Sequence, residues 1–149
     1  MLNTSFKYVL EIACFNVQSC ALAQEAGADR IEFCDNYSLG GITPSQTDII
    51  EAKKLLHIPL HVIIRPRGGN FVYDTEEIEM MKRDILFCKE QQLDGVVFGI
   101  LNLDNTIDVK ANKELLELAK PMSVTFHRAI DECNNIENVF EQKLRWNKE

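Results

Sequence analysis

The chain has one tryptophan, four prolines and, among its five cysteines, no Cys-x-x-Cys pair. The cysteines, at 14, 20, 34, 88 and 133, are odd in number and unevenly spaced, which speaks against a disulfide framework and against a zinc ribbon. Thiols used this way predict a reducing, cytoplasmic setting. Positive charge is also scarce: 16 Lys and Arg stand against 23 Asp and Glu, a formal net charge of -7, with no basic run. Such a surface is not built to neutralise nucleic-acid phosphates or to coat an anionic membrane, so any anion site has to be local. No apolar run approaches bilayer-spanning length. The opening MLNTSFKYVLEIA, with a single lysine and polar residues returning at Asn16, predicts no signal peptide. Neither G-x-G-x-x-G nor G-x-x-x-x-G-K-[ST] occurs, so no nucleotide cofactor is expected.

What the chain does have is alternation. Short apolar segments, YVLEIA (8–13), DRIEFC (29–34), IPLHVII (58–64), DGVVFGI (94–100) and MSVTFHRA (122–129), read as strands. Segments with helical spacing separate them. Asn16 caps a helix through Ala26 that Gly27 stops. Pro44 and Ser45 open a second, with Ile49, Ile50, Ala52, Leu55 and Leu56 as its apolar stripe. Thr75 caps the clearest one, which has acidic residues in its first turn and Ile78, Met81, Ile85 and Cys88 on one face. A last helix from about Asp108 to Ala119 carries Leu115, Leu116 and Leu118 and is ended by Pro121.

Strands alternating with helices of this length pair in parallel through right-handed crossovers, which defines an α/β fold. In a doubly wound sheet helices cover both faces, and central strands are apolar on both sides. Here one parity is repeatedly polar: Glu11, then Arg30, Glu32 and Cys34, then His61 and Arg65, then Thr125 and His127. That pattern predicts a TIM-type (β/α) barrel whose interior carries a site. A closed barrel of this kind takes ~200 residues or more. About five strands are expected here, a partial barrel that this chain alone does not close. Its open edges predict marginal stability, self-association, or both.

In such barrels functional groups gather where strands end and the following loops begin. The unusual segments fall there: NYSLGGITPS, RPRGGNF, the FG of VVFGI, and HRAID. Gly68 and Gly69 can turn backbone N–H groups toward an anion, with Arg65 and Arg67 as forked donors. A small carboxylate or phosphate suits that corner, and Arg128 and Asp131 of HRAID join the ligand-binding set. The competing account is a plain turn whose arginines pair with Glu11, Glu32 or Asp131. Cys34, His61 and His127 supply the ligand types of copper(I) or zinc on one inferred face, without any known cluster spacing. Glu11, Glu32 and His127 are the candidates for acid–base chemistry, against the alternative of an ion-pair network with Arg30 and Arg65.

Together GADRIEFC (27–34), GGITPS (40–45), HVIIRPRGGNFVY (61–73), MKRDI (81–85), DGVVFGIL (94–101) and PMSVTFHRAID (121–131) give a chain that resembles the CutC copper homeostasis family. The resemblance implies a TIM-type barrel, a cytoplasmic location and copper(I) handling through cysteine, without any settled reaction. The family's two glutamate–cysteine motifs fall on Glu11-Ile12-Ala13 and Glu32-Phe33-Cys34. Cys34 matches; Ala13 stands where the first cysteine belongs, and Cys14, one residue on, turns to the opposite face of a strand. The metal set implied is Cys34 with Cys14 and His61. The expected partner is copper ion or a small anionic ligand, which leaves a barrel enzyme of unknown reaction, or an inactive truncated fragment, as the other readings. By the same resemblance residues 1–133 form the N-terminal part of the barrel, and 134–149 a partial helix and a divergent tail.

Overall fold

The computed structural model describes residues 8–134; the expectation for the tail falls outside it from residue 135 onward. Five strands, β1 (Glu11–Cys14), β2 (Arg30–Phe33), β3 (Leu60–Ile63), β4 (Gly95–Phe98) and β5 (Ser123–Phe126), lie in one sheet in sequence order. Every neighbouring pair is parallel. Four helices, α1 (Val17–Glu25), α2 (Gln46–Leu55), α3 (Thr75–Glu90) and α4 (Val109–Ala119), provide the crossovers. Sequence order preserved across a parallel sheet is the arrangement of a barrel wall, and it is the α/β architecture the alternation predicts.

Local chemistry sets the helix starts. Asn16 and Ser45 accept from the backbone N–H three residues on, at Ser19 and Asp48, and so cap α1 and α2. For α3 the cap is Asp74, not Thr75. Its carboxylate accepts from Glu77 N–H while the Glu77 side chain accepts from Asp74 N–H, a reciprocal capping box. The strands are four residues each, shorter than the apolar segments that announce them, because their flanks bend into loops. His127, expected within the last strand, instead caps a short 3-10 turn over Arg128–Glu132.

Register divides the sheet into two unlike faces. Ile12, Cys14, Ile31, Phe33, Leu60, Val62, Val96 and Phe98 share one parity and pack under the helices with Cys20, Ile49, Met81, Ile85, Cys88 and Leu115. Burying each large apolar side chain there contributes about 1.5–3 kcal/mol. On the opposite face Glu11 aligns with Arg30, Glu32 with His61, Gly95 with Ser123, and Val97 with Thr125. A second, smaller apolar cluster, Phe71, Leu101, Ile107 and Ala129, sits at the ends of the later strands. It anchors the loops that surround the candidate site.

Candidate functional site

Cys34 follows β2 and carries on the parity of Arg30 and Glu32, so its thiol belongs to the polar face. It is 3% exposed, yet it stands apart from the apolar cluster that absorbs Cys14, Cys20 and Cys88. Its Sγ donates to Glu32 Oε1 at 3.7 Å. Burial, then the Glu32 charge, push the thiol well above its ordinary pKa. Burial and the nearby Glu11 also raise the Glu32 carboxyl. Gly41, at φ +89°, lets the loop close over the thiol: a Cβ there would sit 3.4 Å from Cys34 Sγ. Cys34 also lines a hollow of about 210 Å³ with Phe15, Asp35, Asp48 and Glu51.

The remaining metal candidates lie elsewhere. Cys14 points to the helix side, as its parity predicts, and is buried beside Cys20. Burial raises the Cys20 thiol to about 12. His61 is buried flat over Gly95, where an added Cβ would come within 2.6 Å of the imidazole. Among the described residues its Nδ1 has no hydrogen-bond partner, and burial followed by the Arg30 charge lowers its pKa. Among the described residues no three His, Cys, Asp or Glu side chains are placed to hold one metal ion. Cys34, Cys14 and His61 are therefore not assembled as a triad. Of the acid–base candidates, Glu11 is ion-paired with Arg30, and neither glutamate hydrogen-bonds His127.

The arginine corner is built from the chain itself. Arg65, 1% exposed, donates from Nη1 to the carbonyls of Leu39 and Gly41 at 2.9 and 2.8 Å and from Nη2 to Gly69 at 2.7 Å. Arg67 pairs with Glu77 and donates to the carbonyls of Gly68, Asn70 and Val72. The turn account's proposed partners, Glu11, Glu32 and Asp131, are thus replaced by backbone carbonyls and Glu77. Gly68 packs against Leu39, and Gly69 adopts φ +85°. Phe71 collects the cations: its ring lies 4.8 Å from the Arg65 guanidinium carbon and 5.8 Å from that of Arg128. His127 packs against the same ring at 4.9 Å. His127 Nδ1 accepts from Ala129 N–H, its Nε2 is buried without a partner among the described residues, and burial with the Arg65 charge lowers its pKa to about 4. Asp131 is exposed. Sequence reasoning passed over Phe71, Gly40 and Glu77; for Glu77 the signal was the Asp-x-x-Glu spacing at 74–77.

A parallel, sequence-ordered β/α sheet with a polar inner face and a cationic rim defines a TIM-like barrel protein over the part described. The comparisons with known proteins name it further. The CutC family model matches residues 8–147, and the chain belongs to that family. It is 45% identical over 126 residues to a CutC family protein of Erwinia tasmaniensis, covering 85% of this chain and 50% of that protein. With a Chromobacterium violaceum family protein it shares 47% over 136 residues, covering 91% and 55%. The chain thus spans about half the length of the curated relatives it matches. A solved CutC protein from Streptococcus agalactiae, whose name carries a provisional assignment to copper homeostasis, superposes with TM-score 0.84 at 36% identity. That match covers 94% of this chain and 67% of the solved one. No helix among the described residues is long and apolar enough to cross a membrane.

Proposed function

We propose that this chain serves copper homeostasis by carrying copper(I) as cargo on Cys34, passing it between thiols in a reducing cytoplasm. One observation carries the reading: of the four buried cysteines, Cys34 alone lies outside the apolar core, with a carboxylate at its sulfur. A soft monovalent cation prefers thiolate sulfur. Capture replaces the S–H bond by an S–Cu bond, and Glu32, whose own affinity for a proton is raised, takes the proton that leaves. The second sulfur comes from the donor molecule.

The test is anaerobic addition of copper(I), followed by the ultraviolet sulfur-to-copper charge-transfer band. The band is expected at one equivalent in the natural chain and absent from Cys34→Ser. Full intensity in that variant would remove the reading's central residue. β1 and β5 each have one strand neighbour among the described residues, and Tyr8, Val9 and Leu10 are exposed beside β1. Both features support self-association, which light scattering during size-exclusion chromatography reads directly.

A further inference from the structure

Among the described residues the rim holds two cations, Arg65 and Arg128, without an ion-paired anion. Arg65 and Arg128 approach Gly40 from two sides: an added Cβ there would collide with Arg128 Nη2 and lie 3.4 Å from Arg65 Nη1. Among the described residues neither guanidinium has an acidic partner within salt-bridge distance. Three backbone carbonyls lock Arg65 in place, so it cannot swing out to water. Carbonyl dipoles share a positive charge but do not cancel it, and a second like charge beside it is costly unless something negative intervenes. Arg128 differs in one respect: it is exposed, and it borders an open hollow of about 580 Å³ with Phe15, Tyr37, Ser38, Leu39 and Gly40.

We propose that this hollow is a binding site for a small organic oxyanion, its phosphate or carboxylate head on the Arg128 fork and its body against Phe15 and Tyr37. Arg65 is the positioning charge behind it, fixed by its carbonyls and aimed at the same glycine. Phe15 and Tyr37 meet edge to face at 5.1 Å and form an apolar wall beside the cation. The Phe71 ring supports both guanidinium groups from beneath. Gly40, at φ +77°, is required by its left-handed backbone, and its bare Cα leaves the space that the Arg128 tip fills. This site takes an anion while Cys34 takes a soft cation, and neither depends on the other. It also departs from an anion held by the Arg67 corner, whose guanidinium is already occupied.

The experiment is a calorimetric titration of the chain with inorganic phosphate and, separately, with malonate, ionic strength held constant with sodium chloride. Saturable binding of at least one anion is expected; preference for phosphate marks a phosphate head, and preference for malonate a carboxylate. Arg128→Ala should weaken it by about tenfold or more, and Arg128→Lys by less, because a charge remains but the fork is lost. Lys54→Ala removes an exposed charge elsewhere and should bind as the natural chain does. Melting curves without anion confirm that each variant is folded. No saturable binding of either anion, or equal binding by Arg128→Ala and the natural chain, overturns the proposal.

Discussion

The two faces of this sheet obey different rules. The helix-side face is apolar at almost every position and nearly sealed, and its cysteines, Cys14, Cys20 and Cys88, are packing residues. The inner face carries Glu11, Arg30, Glu32, His61 and Thr125 and is only partly covered. The first face carries the larger apolar cluster, while the second adds buried Ile63 and Val97 among its polar residues. A buried thiol, histidine or arginine on the inner face or its rim lies outside the apolar core that carries the helices, and is the place to test for function.

Truncating one residue on each face should have very unequal effects. Phe33→Ala removes a ring that is 1% exposed and should cost about 3–5 kcal/mol in denaturant unfolding. Thr125→Ala, on the half-buried inner face, should cost under ~1 kcal/mol. Equal losses would show that the inner face is core as well.

Acid should read the rim. The His127 pKa in the folded protein lies below its unfolded value, so the unfolded chain binds the extra proton between about pH 6.5 and 4. Stability is therefore lost as pH falls through that window, by up to about 3 kcal/mol. His61 acts in the same direction. Glu32 opposes both: its raised pKa makes the folded state lose stability as pH rises past the ordinary carboxylate value. His127→Asn should flatten the slope of midpoint against pH between 6.5 and 4; an unchanged slope would place the acid sensitivity elsewhere.

A smaller effect is expected where His61 rests on β4. Gly95→Ala puts a methyl 2.6 Å from the imidazole and should cost about 1–3 kcal/mol. In a His61→Ala background the same methyl has room, so the two substitutions should be strongly non-additive. Additive losses would mean that the ring does not rest on Gly95.

Much of this was legible in the sequence, and the reasons are physical. Period two exposes the inner face: Glu11, Arg30, Glu32 and His61 fall on one parity, and the register aligns them as that pattern requires. The same rule turned Cys14 away from Cys34. Helix starts were legible to within a residue. Asp74 and Thr75 are both capping residues, and only Asp74 has a glutamate three residues on to complete the box. What could not be read was side-chain partnership across loops. Arg67 meets Glu77 because α3 begins just beyond its loop, and Arg65 meets carbonyls from two different segments. Phe71 carries no chemical signature, yet it gathers Arg65, His127 and Arg128. Parity is a property of one strand, whereas these contacts belong to the folded whole.

On the proposed function the inner-face thiol of Cys34, not the helix-side thiol of Cys14, handles metal. A copper(I) titration against a chromophoric chelator, under reducing conditions, tests it with Cys34→Ser beside Cys14→Ser. Copper(I) retention lost in Cys34→Ser and kept in Cys14→Ser is the predicted result. Retention kept in Cys34→Ser, or lost only in Cys14→Ser, would contradict it.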